Sequence, residues 1–276
     1  PLAMHRRVTV PARVNIIGEH TDYAHGLALP FAINKYLVLT IKSRQTGYSG
    51  DETVIALWQA IGGTPADLTV SSEIPQGKGM SSSAALCLAI VLGKYGNIDP
   101  LEACKKAQSL EHKVLKTPCG LLDQMAIMFA KSQQCSMIDF STMEVEFIDL
   151  PKNWMFKLID SNIDRKLSEM NYNSNNDYLD QHVTSENKRV KQTIGAKPET
   201  LGKLLNQSHN SLKQLGVSTP EVDALVENLQ QTDGVLGARM MGGGFGGMIL
   251  VLIKNEAVLP NYSMVLSSRA PLLEEL

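Results

Sequence analysis

No stretch of the sequence reaches the roughly 18 consecutive apolar residues that a membrane-crossing helix requires, so no transmembrane segment is expected. Charge of one sign is also missing. The formal net charge is −2 over 276 residues, too little to draw the chain to nucleic acid or to an anionic membrane surface. Residues 1–7 are partly basic but have no apolar segment behind them, so they are not read as a signal peptide. There are four cysteines, Cys87, Cys104, Cys119 and Cys135, and none stands in a CxxC pair. They read as reduced thiols in apolar surroundings, not as a disulfide framework. A cytoplasmic protein is the expectation these absences leave. What is present agrees with it, because 43% hydrophobic and 20% charged residues are ordinary for a globular chain. The length accommodates two modest domains or one large one.

Branched and alternating segments at 9–10, 14–17 and 37–41 predict strands. Among them lies a polar knot, Gly18-Glu19-His20-Thr21-Asp22-Tyr23, followed by His25-Gly26. A glycine-rich segment at 77–80 opens a helix expected over 82–93. The next helix is signposted by Asp99 as N-cap, Pro100 at the first helical position and Glu102 completing a capping box. It should end near Leu115, before Pro118 and Gly120. A third, mostly apolar helix covers 121–130, and strands follow at 136–140 and 144–150. The pattern restarts with a strand at 156–160. Residues 170–180 are Asn-rich without periodicity and read as a loop. Helices are expected at 182–194, 201–215 and 220–230, and a strand at 248–253 behind a glycine run. A domain boundary near Leu150-Pro151 gives an N-terminal domain of 1–150 and a C-terminal domain of 151–276.

Three segments have the composition for chemistry. In Pro75-Gln76-Gly77-Lys78-Gly79-Met80-Ser81-Ser82-Ser83, glycines permit close backbone approach and serines stand where a helix begins with unpaired N–H groups. That suits an anion, phosphate above all. A plain Ser-capped helix after a turn is the bland alternative. It is not a Walker loop, because Gly79 follows Lys78. The run Gly242-Gly243-Gly244-Phe245-Gly246-Gly247 satisfies G-x-G-x-x-G, but a strand follows it where a dinucleotide site needs a helix. It reads either as a tight loop or as a backbone surface packed against a ligand. Finally, Asp123 stands in Leu121-Leu122-Asp123-Gln124-Met125-Ala126, where a bare charge is costly. Glu111 falls at helical spacing from Cys104, Ala107 and Val114, near an apolar face. Each is either a satisfied structural acid or, beside a phosphate loop, a metal ligand or base. His20, His112 and the four cysteines read first as structural residues, and Trp58 as core.

Together these segments resemble the galactokinase branch of the GHMP sugar kinases. The run Arg13-Val14-Asn15-Ile16-Ile17-Gly18-Glu19-His20-Thr21-Asp22-Tyr23 is similar to its signature, residues 75–85 to the second family motif, and residues 237–247 to the third. Between them, Glu111-His112 and Pro118-Cys119-Gly120-Leu121-Leu122-Asp123-Gln124 resemble the metal and catalytic stretch. The resemblance implies an α+β fold in two lobes, with the active site in the cleft between them. It implies ATP and Mg²⁺, and a small sugar as substrate with neither nucleic acid nor membrane as partner; the oligomeric state stays open. It implies Asp123 as catalytic base beside Arg13, and Glu19, His20, Asp22, Gly120 and Tyr172 around the sugar. Gly77, Gly79, Ser81, Ser82 and Ser83 would wrap the phosphates, and Ser83 and Glu111 would hold the metal.

The chain departs from the family in places. Ala12 replaces the usual glycine before Arg13, and Ser174-Asn175-Asn176 stand where relatives carry arginines. The span from Asp22 to Ser82, which normally supplies adenine contacts, is short. Phosphorylation of the galactose anomeric hydroxyl is the expected activity. The alternatives are another sugar 1-kinase, for N-acetylgalactosamine, arabinose or a heptose, and a non-catalytic sugar sensor; retention of Arg13, Glu111 and Asp123 argues against the sensor.

Overall fold

The computed structural model describes residues 3–164 and 176–276. The strands are β1 (His5–Asn15), β2 (Leu27–Ala28), β3 (Pro30–Ser43), β4 (Tyr48–Ser49), β5 (Ala66–Ser72), β6 (Gln134–Asp139), β7 (Glu144–Asp149), β8 (Met155–Asp160), β9 (Val235–Met240), β10 (Met248–Ile253) and β11 (Leu272–Glu275). The α-helices are α1 (Glu52–Ala60), α2 (Ser82–Tyr95), α3 (Pro100–Lys113), α4 (Leu122–Met128), α5 (Leu179–Gln192), α6 (Pro198–Leu215) and α7 (Pro220–Gln231). This is the α+β mixture expected. Among the described residues no single helix is long and apolar enough to cross a membrane.

Three sheets organise the chain. The first runs β11-β1-β3-β5-β4, the second β8-β10-β9 and the third β2-β6-β7. The two separate strands expected at 9–10 and 14–17 are one long strand, bent by a register shift between Pro11 and Ala12 where it pairs with β3. The irregularity re-aims the second half of the strand, which carries Arg13. β11 closes the sheet on β1, with Arg6 opposite Glu275 and Thr9 opposite Leu272.

Helix α2 is buried almost throughout, and α3 and α4 pack with it. Its apolar stretch from Ala84 to Gly93 sets it at the centre of the core. One continuous core joins Val8, Val10 and Leu39 of the first sheet to Leu88 of α2, and reaches Leu205 of α6 and Leu250 of β10. A second core lies between α6, α7 and the β8-β10-β9 sheet. The Asp99 carboxylate accepts from Glu102 N at 3.0 Å, so half of the expected capping box forms. The Glu102 carboxylate instead lies 3.7 Å from Lys106. Trp58 is fully buried in the core, as its sequence context suggested. Helix α5 begins before the expected residue 182, with a 3-10 turn at Asn176–Tyr178 ahead of it. Pro151 falls in the connection between β7 and β8.

Candidate active site

Three loops and one helix end meet at the C-terminal end of β1: residues 16–26 after β1, residues 75–81 before α2, residues 241–247 between β9 and β10, and the first turn of α4. Arg13 is the hub. It is 2% exposed, its Nε donates to Asp123 Oδ1 at 2.7 Å and its Nη1 donates to Gly79 O at 3.0 Å. Burial pulls the Arg13 pKa down, but the carboxylates of Asp123, Glu19 and Asp22 outweigh it and hold the guanidinium above its usual value. One cation thus joins the acid of α4 to the phosphate-type loop.

Asp123 sits differently from the expectation of a carboxylate inside an apolar helix. It occupies the first turn of α4 and its side chain is 35% exposed, opening toward the site. The apolar residues around it, Leu122, Met125, Ala126 and Ile127, take the buried face of the helix. A short helix explains this, because its N-terminal turn projects beyond the core that the rest of it fills.

Asp22 reaches the same turn. Its Oδ2 accepts from Leu122 N at 3.2 Å. Burial first, and then the Asp123 and Glu19 carboxylates, push Asp22 up to about 6, against the pull of the Leu122 N–H bond. Gly120 is required by this arrangement. A Cβ there would lie 1.9 Å from Asp22 Oδ2, inside contact distance.

Glu19 is 3% exposed, and its Oε1 accepts from Arg239 Nη2 at 3.2 Å and from Gly242 N at 3.0 Å. Arg239 is fully buried and also donates to the main-chain oxygens of Ile16, Asn15 and Met240. Arg239 therefore braces the first motif against the third, a role that sequence reading missed. Its signal was available: a charged residue inside the apolar strand Val235–Met240. His20 sits at φ 56° with Nε2 2.8 Å from Gly243 O and Nδ1 2.9 Å from Tyr23 Oη. The glycine run packs on the phosphate-type loop itself. A Cβ on Gly247 would lie 2.5 Å from Lys78 O, and Met248 N donates to that oxygen at 2.8 Å.

Gly77 and Gly79 adopt φ of 68° and 73°, the left-handed region open to glycine. Ser81 is the N-cap of α2 but sits at φ 64°, and its hydroxyl bonds to Met80 O instead of capping the helix. Ser82 and Ser83 form the first turn. The leading N–H groups of α2 thus have no side-chain cap, which leaves them and the helix dipole for an anion. Lys78 of the same loop pairs with Asp160 at 3.2 Å.

Glu111 is 2% exposed on α3. Burial pushes it up to about 7, with a hydrogen bond from the Cys119 thiol opposing and Asp123 adding to the rise. Burial raises the Cys87 thiol, and the Glu111 carboxylate adds to that rise. Cys87 is one turn beyond Ser83 on α2. Gln124 Nε2 approaches Glu111 Oε1 at 3.4 Å, while Gln124 Oε1 is buried without a partner among the described residues. Three cysteines are buried as expected, but Cys119 is not a core residue: it lies at the edge of this site, 3.6 Å from His112 Nε2 and from Gln124 Nε2. Tyr172 lies outside the described residues.

Family models match three parts of the chain: a galactokinase galactose-binding signature over residues 5–43, the GHMP kinase N-terminal domain over 51–131, and the GHMP kinase C-terminal domain over 190–261. The galactokinase of Thermotoga maritima is 34% identical, aligned over 91% of this chain and 90% of that protein. That of Thermosipho africanus is 32% identical over 90% and 89%. A solved structure of Lactococcus lactis galactokinase complexed with galactose has TM-score 0.83 at 23% identity, covering 97% of this chain and 95% of that one. The Methanococcus jannaschii mevalonate kinase gives 0.69 at 20% identity over 100% of both chains. These last two are likenesses of fold. Relatives of such identity, matched along nearly their whole length, decide the matter: the chain belongs to the galactokinase family of the GHMP kinases.

Proposed function

We infer that this protein phosphorylates galactose, moving the γ-phosphoryl group of ATP onto the anomeric hydroxyl to give galactose 1-phosphate. The observation that carries the mechanism is the double reach of Arg13, to Asp123 at 2.7 Å and to the Gly79 carbonyl at 3.0 Å. It ties the acid beside the acceptor to the loop beneath the donor phosphates. Asp123, on the open face of α4, takes the proton of the anomeric hydroxyl as its oxygen attacks phosphorus. Arg13 orients that carboxylate through its 2.7 Å contact and offsets charge on the transferred group. Asp22, His20 and Glu19, with Gly120, line the sugar side, and the family resemblance adds Tyr172 to the residues assigned to the sugar. Gly77, Gly79 and Ser81 to Ser83 hold the phosphates at the uncapped start of α2.

A hard cation fits beside the buried Glu111 carboxylate of α3, which Gln124 Nε2 of α4 approaches at 3.4 Å and near which the Gln124 oxygen is left unpaired among the described residues. Among the described residues no three His, Cys, Asp or Glu form a metal cluster by themselves. That suits Mg²⁺, which takes few protein oxygens and completes its shell from phosphates and water. Glu111 and Ser83 are the residues assigned to it, and it would neutralise charge on the phosphates. The reading also includes domains of 1–150 and 151–276 facing each other across the site, a small sugar as partner with neither nucleic acid nor membrane, and a cytoplasmic location.

A coupled ADP-release assay with a panel of free sugars tests the function. Buried polar groups matched to one hydroxyl pattern reject the epimer that leaves them unpaired. Galactose should run well ahead of glucose. Equal or faster turnover with glucose overturns the assignment of acceptor, and sugar binding without any ADP release overturns the assignment of activity.

A further inference from the structure

Glu19 is gripped from two sides. Arg239 and Gly242 N hold its carboxylate, while its main-chain carbonyl accepts from His182 Nε2 at 2.9 Å. His182 is fully buried on α5. Its second ring nitrogen, Nδ1, lies 2.7 Å from Ser211 Oγ on α6, and Ser211 Oγ lies 3.4 Å from Tyr178 Oη. The direction of each bond follows from the first. A carbonyl oxygen only accepts, so Nε2 carries a proton. In the neutral ring Nδ1 then only accepts, so Ser211 donates to it. The remaining lone pairs on Ser211 are what the Tyr178 hydroxyl meets. Donation therefore runs one way, from Tyr178 to Ser211 to His182 to Glu19.

The residue after this anchored carbonyl is His20, at φ 56°. Left-handed backbone is costly for a side-chain-bearing residue, and it persists where the surroundings over-determine it. Here the surroundings are His182 on one side and Gly243 O on the other. We propose that His182 is a positioning residue of the sugar site: through the Glu19 carbonyl it holds the Glu19-His20 turn in the conformation that presents Glu19, His20 and Asp22 to the sugar. It acts through Glu19 and not by contact with the substrate. The inference rests on the sugar-kinase reading above, and it adds α5 and α6 to the parts that set sugar affinity.

The test compares His182→Leu, His182→Gln and Ser211→Ala by steady-state kinetics, and by calorimetric titration of galactose in the presence of a non-hydrolysable ATP analogue. Leucine removes both ring nitrogens and leaves a buried carbonyl unpaired, so the galactose KM and Kd should rise about tenfold or more. The ATP KM and kcat should stay within about threefold of wild type, since neither Asp123 nor the phosphate loop is touched. Glutamine retains a donor that reaches the Glu19 carbonyl and should recover most of the loss. Ser211→Ala should raise the galactose KM about threefold, and should add nothing to His182→Leu, because it acts only through His182. An unchanged galactose KM in folded His182→Leu overturns the proposal, as do KM values for both substrates rising together with a fall in Tm. Should the leucine variant not fold, an unchanged galactose KM in Ser211→Ala overturns it alone. A wild-type protein that neither binds nor phosphorylates galactose overturns the sugar-kinase reading and this inference with it. An active wild type with unaffected variants overturns only the inference.

Discussion

Replacing Asp123 by Asn separates chemistry from structure at the centre of the site. Asparagine keeps an oxygen where Oδ1 now accepts from Arg13 Nε at 2.7 Å, so the contact survives as a neutral bond. Arg13 is not stranded as a bare buried cation, because the Glu19 and Asp22 carboxylates also act on it. The stability cost is then the difference between a charge-assisted and a neutral hydrogen bond, about 1 kcal/mol. The chemical cost is larger. An amide cannot take the hydroxyl proton, and a positioned base is worth roughly 10²–10⁴ in rate, or about 3–5 kcal/mol of barrier. Coupled ADP-release kinetics should therefore show kcat down by at least about two orders of magnitude, with the ATP KM nearly unchanged. Thermal unfolding should move little. Arg13→Ala should cost a comparable factor, and the double variant should fall well short of the product, since the pair acts as one unit. A folded Asp123→Asn protein retaining more than about a tenth of wild-type kcat refutes the reasoning and makes Asp123 a structural acid.

Two further outcomes follow from the geometry around Asp22. In Gly120→Ala the new Cβ would stand 1.9 Å from Asp22 Oδ2 and displace the carboxylate, so the galactose KM should rise about tenfold with the ATP KM unmoved; an unchanged galactose KM counts against Asp22 as a sugar ligand. Because Asp22 is raised to about 6, it loses its charge as pH falls through that value, and kcat/KM for galactose should fall on the acid side near pH 6. The same shift makes ionised Asp22 a burden on the fold, one that grows as pH rises from the ordinary carboxylate range through about 6. Asp22→Asn should lower activity but abolish that acid limb, and a limb that persists in the variant assigns it to another group.

Local signals in the sequence read well where one element decides its own shape. Helix α3 announces itself through Asp99 and Pro100, and β10 through an unbroken apolar run. Helix α1 went unread, although Asp51 caps it through the N–H groups of Thr53 and Val54 and its buried residues Val54, Leu57 and Trp58 keep helical spacing. That was an omission, since the pattern was present. Strand β11 is different in kind. Residues 272–275 have no strand signature of their own, and only β1, far away in sequence, makes them one. At the site, the motifs named Arg13, Asp22 and Asp123, yet the exposure of Asp123 depends on where α4 starts, which only packing decides. Arg239 and His182 escaped for a related reason. Beside the Glu19 carboxylate and the Ser211 hydroxyl, their partners are main-chain oxygens of residues 15, 16, 19 and 240, and a backbone oxygen has no letter in a sequence.

The pairing of β11 with β1 also constrains how the protein is made. Residues 6–9 form their outer ladder with residues 272–275, so everything between them must be synthesised before β1 can gain that neighbour. Until then β1 is an edge, with one row of N–H and C=O groups open to any passing strand. The nascent sheet must wait in that condition while the residues up to 275 emerge, which is the period in which non-local folds are most exposed to aggregation. Stalled or truncated chains that stop short of residue 272 should accordingly be the species that chaperones capture.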